Sequence, residues 1–116
     1  MQELFALFEE MGFLNAEGFF RQGSLSDENY PEKFFTFWNI DTENDSFYDN
    51  SEHRYIERVQ VGFYSTDADE IYSVMDDFIK RAKEKGFVLD GRARDADADK
   101  PDYFGRVCFI RIIHNI

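Results

Sequence analysis

Two segments of the chain carry apolar residues at the spacing of an amphipathic helix. The first lies at the start and is followed by Gly12, which predicts a short helix that ends there. Its apolar residues are Leu4, Phe5, Leu7, Phe8 and Met11. The second follows Thr66 and Asp67, which predict a helix start, and precedes Gly86, which predicts the helix end. Its apolar residues share one face and are Ile71, Val74, Met75, Phe78, Ile79 and Ala82.

Residues 53–65 predict a long strand, because apolar and polar residues alternate along its second half. Val59, Val61 and Phe63 point to one face of this strand, and the residues between them point to the other. We predict that the apolar face of the second helix packs against these three side chains.

The remaining apolar segments also predict strands. Residues 33–41 are rich in aromatic side chains and apolar on both faces at their start, which predicts a strand covered on two sides. Residues 103–113 are apolar on both faces and predict a central strand of the sheet. Residues 18–22 and 87–89 predict two short strands.

The predicted elements follow the order helix, short strand, two strands, helix and two strands. Runs of strands with segregated helices are typical of α+β domains. We therefore predict an α+β fold, a mainly antiparallel sheet of about four to five strands with both helices packed on one face. A chain of 116 residues has the size of a single domain, which we assign to residues 1–116. Two acidic segments, 41–52 and 91–102, are predicted to be loops.

The chain is strongly acidic but too apolar to be disordered. It has 24 acidic and 13 basic residues, a formal net charge of -11, and 18% aromatic residues. Because phosphate binding needs a cationic face, this balance argues against direct nucleic-acid binding. No apolar run approaches the length of about 20 residues that spans a bilayer, and the first residues do not resemble a signal peptide. We expect a cytosolic location and no membrane association.

The residue types that enzymes use most are scarce. The histidines are His53 and His114, the cysteine is Cys108, and none has a sequence neighbour that would make it a base, a nucleophile or a metal ligand. Cys108 lies within an apolar strand, which predicts a buried core residue, whereas the histidines are predicted at the surface. Glycine motifs for phosphates or dinucleotides, a GxSxG motif and CxxC pairs are absent from the sequence. We predict neither a cofactor nor enzymatic activity.

The second acidic segment invites a calcium interpretation, because Asp95, Asp97 and Asp99 alternate as carboxylates do in EF-hand loops. That motif needs a glycine at its sixth position and an acid at its twelfth, where this chain has Lys100 and Arg106. The first acidic segment has the final acid but lacks the glycine and is flanked by predicted strands. We predict two solvated loops and no metal site.

Phe47 and Tyr48 are two aromatic residues within the otherwise polar first acidic segment. One hypothesis folds them back onto the sheet. The other leaves them exposed as anchors for a neighbouring subunit, because buried aromatic side chains carry much of the energy at protein interfaces.

Short motifs punctuate the predicted elements along nearly the whole chain. They are a Tyr-Pro segment before the aromatic strand, a Thr-Asp helix start, a Lys-Gly-Phe helix exit and a Gly-Arg pair that opens the last strand: Tyr30, Pro31, Thr66, Asp67, Lys85, Gly86, Phe87, Gly105 and Arg106. With the short first helix, the Asp-rich loop and the long strand at 53–65, this order resembles the tail-terminator or tail-completion proteins of long-tailed bacteriophages and their prophage copies.

The resemblance implies a small α+β subunit that closes into a ring, usually hexameric, at the head-proximal end of the tail tube. Its neighbours would be the tail-tube protein and the head connector protein, and it would ensure head-tail joining. The resemblance implies residence in the host bacterial cytoplasm before assembly and in the virion tail afterwards, and it brings no catalytic residues. The acidity suits a channel that passes DNA without binding phosphate.

Two other functions stay open. A small acidic protein can act as a DNA mimic or as another protein-binding inhibitor, although a mimic should array its acids across ordered faces, and here they cluster in loops. A small ligand-binding domain or enzyme would require a sizeable pocket lined by converging polar groups.

Overall fold

The computed structural model describes residues 1–15, 17–24, 30–44 and 54–115, without the side chains of residues 43, 44, 54 and 115. The described residues form two helices and six strands. In chain order these are α1 (Gln2–Glu10), β1 (Phe19–Arg21), β2 (Lys33–Asn44), β3 (Arg54–Ser65), α2 (Glu70–Glu84), β4 (Val88–Leu89), β5 (Arg94–Ala96) and β6 (Phe104–Asn115). Both predicted helices and all five predicted strands are therefore present.

The strands form one sheet in the order β1-β2-β3-β6-β4, and β5 also pairs with β6. β1 runs parallel to β2, and every other described pair is antiparallel, which confirms a mainly antiparallel α+β fold. β6 has neighbours on both sides, as predicted for a central strand. The sheet has six strands rather than the four to five predicted. The strand that no sequence pattern predicted is β5, which lies inside the segment that we predicted to be a loop.

Polar contacts rather than apolar alternation hold β5, which explains why the sequence pattern did not indicate it. Asp95 accepts a hydrogen bond from Arg106 Nη1 at 2.8 Å and another from the Tyr72 hydroxyl at 2.9 Å. The guanidinium of Arg94 lies 5.3 Å from the centroid of the Phe109 ring. These contacts tie β5 to α2 and to β6.

Both helices pack on the same face of the sheet, which we call the inner face. The ring of Phe8 in α1 lies 4.6 Å from that of Phe35 in β2 and 5.8 Å from that of Phe78 in α2, measured between centroids. The predicted packing of α2 on the apolar face of β3 is confirmed, because both sets of side chains belong to one core cluster. Its buried members are Leu4, Leu7, Phe8, Phe19, Phe35, Val59, Val61, Phe63, Ile71, Met75, Phe78, Ala82, Phe87, Cys108, Ile110 and Ile112.

Both helices end just before the glycines that predicted their ends, whereas α2 begins later in the chain than predicted. Gly12 and Gly86 adopt φ values of 94° and 89°, a left-handed conformation that favours glycine after a helix. α2 begins at Glu70 rather than after Thr66 and Asp67. The reason is local, because the Asp67 carboxylate accepts the Asp69 N–H at 3.0 Å and thereby forms a turn before the helix. In the described part of the chain, no helix is long and apolar enough to cross a membrane.

The opposite face of the sheet, which we call the outer face, is covered by no helix of the described residues. β2, β3 and β6 have 12 residues each and therefore span about 40 Å, whereas the 15 residues of α2 span about 22 Å. Phe34 and Phe35 are both buried, which confirms that β2 is covered on both sides at its start. Farther along β2, Trp38 and Ile40 are 43% and 47% exposed, so the cover ends there.

Candidate binding site on the outer face

A cavity of about 280 Å³ opens on the outer face where β2 begins and β3 ends. Phe34 and Tyr64 are cross-strand partners that line this cavity, and their rings stack with centroids 5.5 Å apart. Tyr30 and Tyr103 line it from the chain segments that precede β2 and β6. We call the site formed by these four rings the aromatic pocket.

Two glycines make room for the ring of Tyr64. Gly62 lies two residues earlier on the same face of β3, and Gly105 is the partner of Tyr64 on β6. A Cβ atom at Gly105 would lie 2.5 Å from Cε1 of Tyr64, and one at Gly62 would lie 3.0 Å from Cε2. The ring therefore lies over both glycines, in close contact with the sheet.

Tyr103, the residue just before β6, ties together the chain segments that precede β2 and β6. The Tyr103 hydroxyl donates a hydrogen bond to the Pro31 carbonyl at 2.6 Å and lies 3.2 Å from the Tyr30 carbonyl oxygen. The ring of Tyr30 makes edge contacts with Phe34 and Tyr103, with centroids 5.6 and 5.9 Å apart. The hydrogen bonds fix the backbone of the first segment, and the edge contacts fix the orientation of its ring.

Two phenol groups of the pocket, those of Tyr64 and Tyr103, are weaker acids than a free tyrosine. Burial raises the pKa of the Tyr64 hydroxyl, the charge of Asp99 raises it further, and a hydrogen bond from the Thr36 hydroxyl opposes both effects. Burial also raises the pKa of Tyr103, followed by the charges of Glu32 and Asp102. Both tyrosines therefore stay neutral at physiological pH.

Carboxylates lie beside the rings. Asp97 and Asp99 line the cavity, both are exposed, and no hydrogen bond or ion pair joins either to another described side chain. The neighbouring Lys100 places its ammonium group 5.3 Å from the centroid of the Tyr30 ring. The site thus combines ring faces with negative charge.

A second feature of the sheet is a pair of strand edges that no described strand covers. β1 pairs with residues 35–37 of β2, and β4 and β5 pair with β6 only up to residue 111. Beyond these points exposed apolar side chains lie on both strands, namely Trp38 and Ile40 on β2 and Ile113, 37% exposed, on β6. We call the edge of β2 beyond residue 37 and the edge of β6 beyond residue 111 the open edges. They lie on opposite sides of β3.

A buried carboxylate lies on the inner face of the sheet, where β2 and β6 continue past the short strands and pair only with β3. The Glu57 side chain is 10% exposed, and its Oε1 lies 2.7 Å from Nε2 of His114. Its Oε2 accepts a hydrogen bond from the Asn39 amide at 2.9 Å, and the Met1 amino group donates to Oε1 at 3.2 Å. Glu57 follows the inward parity of Val59, so the carboxylate is buried with its partners supplied.

Among the described residues, Cys108 and His114 do not come together at the aromatic pocket or at the open edges. Cys108 is buried as predicted, and burial raises the pKa of its thiol to about 12, so it is a weak nucleophile. The prediction of a surface His114 is wrong, because its side chain is 13% exposed and contacts Glu57. His53, Phe47 and Tyr48 lie outside the described residues, and so does most of the first acidic segment.

Metal ligation was predicted for neither acidic segment. Among the residues that the structure describes, no group of three His, Cys, Asp or Glu side chains could hold a metal ion. Asp95 is engaged by Arg106 and Tyr72, whereas Asp97 and Asp99 are exposed and line the aromatic pocket.

Comparisons with protein-family models and with curated proteins find no match to the chain.

Sequence patterns contained signals for features that the prediction missed. Gly62 and Tyr64 share one face of β3, and a glycine beside an aromatic residue at this spacing can indicate a ring that lies over the backbone. Glu57 has the same parity as Val59, which places a carboxylate on the inner face. The partners of both residues on β6 could not be found, because the register between β3 and β6 is not written in either strand alone.

Proposed function

We propose that the protein is a structural subunit of a phage or prophage tail that closes into a ring, ends the tail tube and joins it to the head connector. It would reside in the host bacterial cytoplasm before assembly and in the virion tail afterwards. The observation that carries the proposal is the pair of open edges, each flanked by exposed apolar side chains.

The two open edges favour a head-to-tail contact. An exposed strand edge presents unpaired backbone N–H and C=O groups that can accept a strand of another chain. If β2 of one copy pairs with β6 of the next, Trp38 and Ile40 meet the neighbour's Ile113 and lose their exposed apolar surface. Such a contact joins two different surfaces, and it generates a ring when the rotation closes. A hexamer is the closure that we propose on assembly.

The charge of the chain opposes this association at low ionic strength. Each copy carries a net charge of -11, so neighbouring copies repel each other. Salt screens this repulsion over about 8–10 Å at ordinary ionic strength. We therefore expect the free protein to be monomeric or weakly associated, and to associate more strongly as salt rises. Phe47 and Tyr48, which follow the open edge of β2 in the chain, are proposed as additional anchors.

Complementation between edge variants tests the head-to-tail contact. Trp38→Asp should block the β2 edge and Ile113→Asp the β6 edge, so that each variant alone stays monomeric at high salt. Mixed in equal amounts, they should form dimers and nothing larger, because one intact edge of each kind remains. Light scattering after size exclusion measures the masses, and Leu14→Asp serves as the matched control at a residue that is 53% exposed outside the sheet.

Two results would contradict the contact. Dimers formed by either edge variant alone would show a symmetric interface, and a tight oligomer at low salt that neither variant changes would place the interface elsewhere.

Replacing Phe47 and Tyr48 by serine should weaken association of the native chain if they are anchors.

The tail role itself has a separate test. Deleting the gene from its phage or prophage should leave heads unjoined from tails whose length is no longer controlled, as electron microscopy of induced cultures would show. Normal virions from the deletion strain would refute the tail role, even if the purified chain forms rings.

A further inference from the structure

The aromatic pocket has the composition of a cation-binding site. The Phe34 ring lies within contact distance of the other three rings of the pocket, with centroids 5.5 to 6.0 Å apart. Asp97 and Asp99 line the same cavity. We propose that the aromatic pocket binds an organic cation of the arginine or lysine type, held by the ring faces and by these two carboxylates.

The physical basis is the charge distribution of an aromatic ring. The negative face of a ring attracts a cation that lies within about 6 Å of its centroid, and loss of water strengthens the attraction. One cation of the chain itself already contacts a ring of the pocket, because the ammonium group of Lys100 lies 5.3 Å from the Tyr30 centroid. A carboxylate beside the rings adds a charge-assisted hydrogen bond, and a planar guanidinium can stack on a ring and bind a carboxylate at once.

The properties of the cavity limit the ligand further. A cavity of about 280 Å³ lies just below the usual range for drug-sized ligands, and this size suits a single side chain or a small cation. The close packing of Tyr64 on Gly62 and Gly105 keeps that ring in place before any ligand arrives. Arg21 also lines the cavity, but its guanidinium lies 5.7 Å from the Trp38 ring, outside the four rings.

Titration with a cation and its neutral isostere tests the site. Ethylguanidinium chloride and N-ethylurea have nearly the same shape and differ in charge, and salt is held constant with sodium chloride. By NMR, ethylguanidinium should shift the ring signals of Tyr64 and Tyr103 with saturation at a Kd of about 1–10 mM, whereas the urea should not. Equal shifts with both compounds, or shifts that do not saturate, would overturn the proposal.

A charge-matched pair of variants tests the role of the carboxylates. Asp99→Asn should weaken ethylguanidinium binding about fivefold, which is the loss of one exposed ion pair. Asp76→Asn removes the same charge at an exposed residue of α2 that does not line the cavity, and it should leave the Kd within about twofold. Equal weakening by both variants would show a general effect of net charge and would refute the site. Because all three carboxylates are exposed, folding should persist, and Asp97→Asn provides a second variant.

The source of the cation is distinguished in the same titration. If a protein partner supplies it, the amide-capped tripeptide Gly-Arg-Gly should bind more tightly than ethylguanidinium, because the backbone adds contacts around the cavity. If a free small cation is the ligand, the tripeptide should bind equally or more weakly. Neither result depends on ring formation, so this site can fail while the proposed tail role stands, or the reverse.

Discussion

Replacing Gly105 by alanine should push the ring of Tyr64 away from the sheet. The new Cβ would lie 2.5 Å from Cε1 and 2.7 Å from Cδ1 of Tyr64, whereas carbon atoms pack at about 3.5–4.0 Å. The ring must therefore move by about 1 Å, and overpacking of this kind costs about 1–3 kcal/mol. Removing a glycine from a strand returns about 0.5–1 kcal/mol. The free energy of unfolding should fall by about 1 kcal/mol.

A double-mutant cycle separates the clash from the other effects of the alanine. In the Tyr64→Ala background the ring is absent, and the closest remaining atom is the Ala96 carbonyl oxygen at 3.0 Å. Gly105→Ala should then be nearly neutral or stabilising, so that the coupling free energy is about 1–3 kcal/mol. Urea unfolding followed by circular dichroism measures all four chains.

A second background provides the control for this cycle. Ile113 lies eight residues farther along β6, a distance of about 26 Å, so Gly105→Ala and Ile113→Ala should be additive within about 0.5 kcal/mol. The explanation is refuted if Gly105→Ala has the same effect with and without the Tyr64 ring, because the ring would then not depend on the glycine.

Two further predictions concern the core. Phe78→Ala should lower the free energy of unfolding by about 3–5 kcal/mol, since this ring of α2 is fully buried against α1 and β2. Lys80→Ala, at an exposed residue of the same helix, should change the free energy of unfolding by less than about 0.5 kcal/mol. A Phe78→Ala chain of unchanged stability would contradict the packing. Burial raises the pKa of the Cys108 thiol from 9.0 to about 12, so its contribution to stability is complete below about pH 9 and is lost as the pH rises toward 12. The free energy of unfolding should therefore fall more steeply between about pH 9 and 11 in the native chain than in Cys108→Ala, and parallel curves would show that the thiol ionises equally in both states.

Much of the fold could be predicted because apolar periodicity reports burial directly. The spacing around Phe78 and the alternation around Val61 each reflect a surface that must leave water, and both faces were assigned correctly. The start of α2 was assigned wrongly because Asp67 uses its side chain for a turn. β5 was missed because Asp95 is held by polar side chains from elsewhere in the chain, and local pattern carries no trace of them.

The aromatic pocket could not be predicted because its members are distant in sequence. The rings come from three separate stretches of the chain, which contain Tyr30 with Phe34, Tyr64, and Tyr103. Only the register of β2 with β3 and of β3 with β6 brings these stretches together. Composition showed many aromatic residues but could not show which rings share a cavity. The surface assignment of His114 failed for the same reason, since its partner Glu57 is 57 residues away.

The pairing of β3 with β6 has a consequence for the folding kinetics. The register joins Ser65 to Phe104 at one end and Arg54 to Asn115 at the other, so every pair of this ladder closes a loop of some forty to sixty residues that includes α2. β2 and β3 are adjacent in the chain and can form their hairpin early, because local pairing costs less chain entropy. Until β6 arrives, that hairpin exposes a full strand edge to other unfinished chains. Folding of this sheet should therefore be slow for its length, and its intermediates should be prone to aggregation at high concentration.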